Sequence, residues 1–226
     1  MNYSLEISDD LQPCPVIPAL IWAEGIEPPL PTESAPGFLA DVIKQAQDAG
    51  EEYVPAELRK RVRKMLRHGK YHPSGRGKPA SEFLLRAALS DEFPLVNGPV
   101  DVNNAISLAS GLPGSIFGSA LSGTDLLIRR GLPGESYVFN NSGQTIDLQD
   151  LLLICRRQGS GWQPCGNPVK DAMITKINER TRNVIAVLYA PADADQDDLS
   201  TWAERFAQLL TGHCKAQRSG YRIVDG

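Results

Sequence analysis

Histidine and cysteine are scarce: His68, His72 and His213, and Cys14, Cys155, Cys165 and Cys214, are all that the 226 residues contain. No two cysteines form a C-x-x-C pair, and their spacings match no zinc framework. No metal is therefore expected, and the thiols read as small, partly buried side chains of a reducing compartment. Long apolar runs are absent too, since nothing approaches the roughly 18 consecutive apolar residues of a membrane span. Residues 1–11 carry Glu6, Asp9 and Asp10 and lack a basic start followed by an apolar run, so no secretory signal is expected. A cytoplasmic location, with no membrane partner, follows by elimination. Excess charge of one sign is also missing. A net charge of -4 gives no global case for a nucleic-acid ligand, so such a ligand needs a local basic surface. What remains, 42% hydrophobic and 22% charged residues, is the composition of an ordinary globular chain.

Familiar catalytic patterns fail in turn. Ser115 lies in Gly-Leu-Pro-Gly-Ser-Ile-Phe-Gly, which lacks the G-x-S-x-G nucleophile elbow. Two of the three histidines available as its base, His68 and His72, fall in a basic segment. Ser74-Gly-Arg-Gly-Lys78 has the residue types of a phosphate loop, but no strand precedes it and Pro79 takes the place of the hydroxyl residue. No cofactor is implied. Asp193, Asp195, Asp197 and Asp198 precede a helical pattern and suit capping and the helix dipole.

Periodicity predicts helices over 38–46, ended by Gly50, over 55–66, ended by Gly69, over 80–89, over 103–109, ended by Gly111, and over 198–210, ended by Gly212. Strand-like runs occupy 16–22, 125–129, 137–139, 151–155 and 184–189, with Asn140-Asn-Ser-Gly143 as a hairpin turn. Pro15 and Pro18 assign the first of these runs to an edge or short strand. Helices come early and most strands late, which argues for α+β. We expect one domain: 1–77 wraps the core, 78–192 forms it, and 193–226 adds a helix and tail.

One electrostatic feature stands out. Arg59, Lys60, Arg61, Arg63, Lys64, Arg67, Lys70, Arg76 and Lys78 make nine of the 23 Lys and Arg, and Glu57 alone offsets them nearby. A solvated amphipathic helix explains such a face. A polyanion contact explains it as well, with Arg59, Arg61, Arg63, Lys64, Arg67, Arg76 and Lys78 as the RNA-binding candidates.

An ordered series of short motifs then runs through 78–190. It begins at Lys78-Pro-Ala-Ser81 and Leu85-Arg86 and peaks at Val100-Asp-Val-Asn-Asn-Ala-Ile-Ser-Leu108. Gly111-Leu-Pro-Gly-Ser-Ile-Phe117, Leu126-Leu-Ile-Arg129, Gly134-Glu135, Ile174-Thr175 and Thr181-Arg-Asn-Val184 follow. The series resembles the editing module formed by the third and fourth domains of the phenylalanyl-tRNA synthetase beta chain, and the free-standing proteins built on it. In that family residues matching 100–108 run from a strand end into a helix, and those matching 111–117 form a turn.

The resemblance implies an α+β fold with a beta-sandwich-like core and flanking helices. It also implies a pocket for an aminoacyl group, and a trans-acting aminoacyl-tRNA deacylase working without metal. Such a site grips an amino-acid ester at its ammonium and carbonyl through neutral amides and backbone N–H groups while water attacks. Asn104 matches the family's pocket asparagine and Asn103 its hydroxyl-bearing neighbour. Gly114 and Ser115 fall on the turn, and Glu135 belongs to the Gly-Glu motif. Two departures stand out: Ser115 replaces a histidine, and the acidic residue that accepts a tyrosine hydroxyl falls at Val187 or Tyr189, neither of which is acidic. Buried polar selectors discriminate strongly, so tyrosine is not the expected aminoacyl group. A non-catalytic tRNA- or RNA-binding module and an amino-acid-binding protein stay open beside the deacylase.

Overall fold

A computed structural model describes residues 1–224. The last two residues of the expected 193–226 segment lie outside the described residues. Strands β1 (Ser4–Ile7) and β2 (Val16–Glu24) come first, followed by helices α1 (Gly37–Ala49), α2 (Ala56–Leu66), α3 (Ala80–Leu89) and α4 (Gly98–Ser110). Then come β3 (Gly114–Gly118), the single turn α5 (Ser119–Ser122), β4 (Asp125–Arg130), the hairpin β5 (Ser136–Val138) and β6 (Thr145–Asp147), and the hairpin β7 (Leu152–Gln158) and β8 (Gly161–Gly166). The chain closes with β9 (Asn183–Pro191), α6 (Gln196–Gly212) and β10 (Arg218–Ile223).

Two four-stranded sheets run in the orders β1-β4-β7-β8 and β10-β2-β9-β3. Only the β1–β4 pairing in them is parallel. β9 reads Asn-Val-Ile-Ala-Val-Leu-Tyr-Ala-Pro and is buried from its second residue onward. A strand covered on both faces needs such a continuous apolar run, whereas one wetted face would alternate. Leu126, Ile128, Leu152 and Ile154 of one sheet share a core with Leu20, Val187 and Tyr189 of the other. Val62 and Leu66 of α2 and Phe206 and Leu210 of α6 close that core from outside. A smaller cluster of Ala46, Leu84, Leu85 and Leu108 joins α1, α3 and α4. The fold is α+β, with two packed sheets and flanking helices.

Local chemistry sets the helix ends. Asn97 accepts the Val100 N–H at 3.3 Å to start α4, and Gly111 at φ 71° ends it in the left-handed region. Asp195 takes the Asp197 and Asp198 N–H groups at 2.8 and 3.2 Å to start α6. Several expectations need correction. Residues 100–102, matched to a strand end, lie inside α4, which begins five residues earlier than its apolar spacing shows. Residues 114–117, part of the stretch matched to a turn, belong to the fully buried strand β3. β2 is an interior strand despite Pro18, because the proline sits at the end of the β10 pairing, where its carbonyl accepts the Val224 N–H at 2.9 Å and its missing N–H removes no interior ladder bond.

Candidate functional site

β3 is the last strand of its sheet, so one of its edges is unpaired. The Tyr189 N–H donates to the Pro113 carbonyl at 3.0 Å, and the register sets Ser115 opposite Val187. Alternation then turns the main-chain groups of Gly114 and Ile116 toward the open edge. It also puts the side chains of Ser115, Val187 and Tyr189 together on the inner face. All three are completely buried.

A carboxylate reaches this edge from a distant part of the chain. Asp171 accepts from Ser115 Oγ at 2.7 Å, and from the Ile116 and Asn167 N–H groups at 3.3 Å each. Tyr189 Oη lies 2.9 Å from Ser115 Oγ. A serine hydroxyl has one proton, so with that proton on Asp171 the tyrosine must donate to the serine. The result is a relay from Tyr189 through Ser115 to Asp171. Burial pushes the Asp171 carboxyl up to about 7, even though Ser115 and the two N–H groups pull the other way. Asp171 is only half-buried as a residue, but all three of its donors belong to buried residues. Burial likewise drives the Tyr189 and Tyr137 phenols well above their ordinary range, with Asp171 adding to the effect.

The loop that delivers Asp171 is shaped by Asn167. Its Oδ1 accepts the Val169 and Lys170 N–H groups at 2.8 Å each, and its Nδ2 donates to the Tyr137 hydroxyl. Tyr137 in turn donates to the Lys170 carbonyl at 2.6 Å. Gly166 is required at the loop's start, because a Cβ there would stand 2.4 Å from Phe117 Cζ and 2.7 Å from Asp171 Oδ1. Asp171, Asn167 and Tyr137 were not among the site residues expected from sequence. No short motif marks them, and 55 residues separate the Asp171 carboxylate from the Ile116 N–H it accepts.

Asn103 approaches β3 from α4. It is 7% exposed, and its Nδ2 lies 3.5 Å from the Gly114 carbonyl and 3.4 Å from Asn104 Oδ1, while its own Oδ1 has no partner. A Cβ on residue 114 would come within 2.7 Å of that oxygen, so the contact depends on glycine. Asn104 is half-buried. Glu135 stands apart: it binds Arg129 through two bonds of 2.6 and 2.8 Å and accepts the Leu132 N–H at 2.7 Å. The expected pocket residues thus gather at β3, except for Glu135, and Gly114 and Ser115 sit on a strand rather than a turn. An open depression of about 550 Å3 lies elsewhere, lined by Pro29, Pro31, Val96, Asn97 and residues 178–180.

The basic face is partly neutralised. Arg59 pairs with Glu51 at 3.1 Å, Lys60 with Glu57 at 3.8 Å, Arg61 with Asp193 at 3.0 Å, and Arg63 with Glu82. Glu57 is therefore not the sole offsetting acid: Glu51 lies only eight residues from Arg59, and folding supplies Glu82 and Asp193 from other segments. Lys64, Arg67, Lys70, Arg76 and Lys78 make no ion pair among the described residues and are exposed. Their segment is pinned down. Arg130 donates to the Met65 and Leu66 carbonyls at 3.2 Å, and Asp150 accepts the Lys70 N–H at 2.8 Å. Tyr71 holds the Gly77 carbonyl, and the Ala80 N–H donates to the Pro168 carbonyl at 2.8 Å. Burial and nearby Arg76 lower the Lys170 pKa, which places another cation beside this group. Arg76 and Lys78, at the end of this segment, therefore border the loop that carries Asp171.

Among the described residues no group of three His, Cys, Asp or Glu side chains forms a metal set, and no helix is long and apolar enough to cross a membrane. No family model matches the sequence. No curated protein matches it either. Among solved structures, the fold resembles the crystal structure of an N-terminal fragment of the phenylalanyl-tRNA synthetase beta-subunit from Pyrococcus horikoshii, with a TM-score of 0.51 and 9% identity. The alignment covers 98% of this chain and 51% of that one. This chain spans about half the length of that fragment, and at this identity the likeness is one of fold.

Proposed function

We propose that this chain binds tRNA, with backbone phosphates held by Lys64, Arg67, Lys70, Arg76, Lys78 and Lys170. The carrying observation is that five exposed cations that make no ion pair among the described residues, Lys64, Arg67, Lys70, Arg76 and Lys78, fall within 15 residues of one pinned segment in a chain whose net charge is -4. Cations already committed to carboxylates gain little from phosphates, so Arg59, Arg61 and Arg63 contribute less. The fold-level likeness to a synthetase fragment supports tRNA as the nucleic acid. Filter binding of the Lys64→Glu, Arg67→Glu, Arg76→Glu triple variant tests it. The expected result is at least a tenfold loss of affinity. Unchanged binding counts against it.

A second reading, hydrolysis of an aminoacyl-tRNA ester, rests on the Asp171 carboxyl. A group held at about 7 can take a proton from an attacking water at neutral pH. Water adds to the ester carbonyl, its proton passes to Asp171, and the bond to the tRNA oxygen breaks as that oxygen is protonated. The Asp171 oxygens are already occupied by Ser115, Ile116 and Asn167, and neither Val187 nor Tyr189 is acidic. Tyrosine is accordingly disfavoured as the aminoacyl group. Release of amino acid from a panel of misacylated tRNAs, slowed by Asp171→Asn, supports this reading; a panel left intact removes it.

A further inference from the structure

Two aromatic rings stand among the cations of this surface. Phe83, in the first turn of α3, is 53% exposed, and the Arg86 guanidinium lies 5.7 Å from its ring centroid. Phe139, just beyond β5, is half-buried, with Lys170 Nζ 4.1 Å from its centroid. The backbone ties the two places together. Ala80, one helical turn before Phe83, donates to the Pro168 carbonyl at 2.8 Å, and Lys170 follows two residues later. Tyr137, two residues before Phe139, donates to the Lys170 carbonyl. Both rings therefore flank the 167–171 loop.

The acids nearby do not cancel this charge. Glu82, next to Phe83, is already paired with Arg63. Arg76, Lys78 and Arg86 are exposed and make no ion pair among the described residues. A cation above one face of a phenyl ring leaves the other face open, and it stands where a phosphate can meet it.

Resting on the tRNA reading above, we propose that Phe83 and Phe139, with Arg86 and Lys170, form a stacking platform for unpaired nucleotides, so that the RNA segment bound here is single-stranded. A duplex already stacks its bases internally and has no base face to offer a ring. An unpaired base presents both faces, and stacking on an aromatic side chain tolerates any sequence. An acidic peptide would satisfy the cations but would leave the rings unused.

Fluorescence anisotropy with a short labelled single strand and a blunt duplex of the same sequence tests the platform. Phe83→Leu keeps the apolar bulk at an exposed position and removes the aromatic face, and Phe83→Tyr restores it. The expected result is a loss of about fivefold or more in single-strand affinity for Phe83→Leu, recovery for Phe83→Tyr, and no change for the duplex. Equal affinity of the leucine variant and the wild type for the single strand overturns the platform and leaves tRNA binding standing. Failure of wild type to bind intact tRNA overturns both. Displacement of the single strand by polyglutamate, with no difference between leucine and phenylalanine, assigns the surface to an acidic protein instead.

Discussion

Replacing Asp171 by asparagine separates its ionisation from its shape. The folded carboxyl titrates at about 7, against an ordinary value of 3.8. Between those values the folded chain keeps a proton that the unfolded chain has released. Stability therefore falls as pH rises through this window, is free of the penalty below 3.8, and carries all of it above about 7. A difference of about three in pKa at about 1.4 kcal/mol each makes the penalty up to about 4 kcal/mol. An asparagine amide cannot ionise, so the Asp171→Asn variant carries no such term. It does turn an amide N–H2 toward the donors that Asp171 satisfied, at a pH-independent cost of about 1–3 kcal/mol. Urea unfolding of both proteins from pH 4 to 9 isolates the titrating part, because other titrating groups cancel in the difference. The variant should gain on wild type by up to about 4 kcal/mol as pH rises. A difference that stays level within about 0.5 kcal/mol across the range refutes the assignment of a buried, protonatable carboxyl.

Two further outcomes test the frame that holds the site. Glu135→Ala leaves the Arg129 guanidinium, 9% exposed, without its carboxylate and should cost about 3–5 kcal/mol in urea unfolding; a loss below about 1 kcal/mol contradicts a buried pair. Burial pushes the Glu135 carboxyl up, but Arg129 and the Leu132 N–H outweigh it and leave it below the usual carboxylate range, so this contribution fades as pH falls through the lowered value. Gly131→Ala would place a Cβ 1.8 Å from the Leu148 carbonyl oxygen, a backbone atom that Leu151 also binds, so thermal unfolding should show at least about 3 kcal/mol of destabilisation. A neutral alanine would mean that the turn joining β4 to the β5–β6 hairpin is looser than its hydrogen bonds require.

Helices were the most legible part of the sequence. The apolar spacings over 38–46, 58–66 and 80–89 match α1, α2 and α3 closely, because each presents one stripe to a core and ends at a glycine or a polar turn. β1 and β10 were not legible: Ser-Leu-Glu-Ile is too short to carry a pattern, and Arg-Ser-Gly-Tyr-Arg-Ile has one weakly apolar face. Gly114-Ser-Ile-Phe-Gly118 reads as a turn because of its glycines, yet Gly114 is there to let Asn103 approach and the segment pairs with β9. Alternation alone put Val187 and Tyr189 on one face, and the structure adds Ser115 to it. Asp171 and the acids that meet α2 stayed hidden for the same reason. Ser115 lies 56 residues from Asp171, and Arg63 and Arg61 lie 19 and 132 residues from Glu82 and Asp193, so only the folded chain brings these partners together.

The salt dependence of tRNA binding tests the central claim most directly. If Lys64, Arg67, Lys70, Arg76, Lys78 and Lys170 hold phosphates, the logarithm of the association constant should fall with the logarithm of salt concentration with a slope of about -4 to -5. The Lys64→Glu, Arg67→Glu, Arg76→Glu variant should flatten that slope by about two to three. A slope near zero, or one that the triple substitution leaves unchanged, contradicts the account.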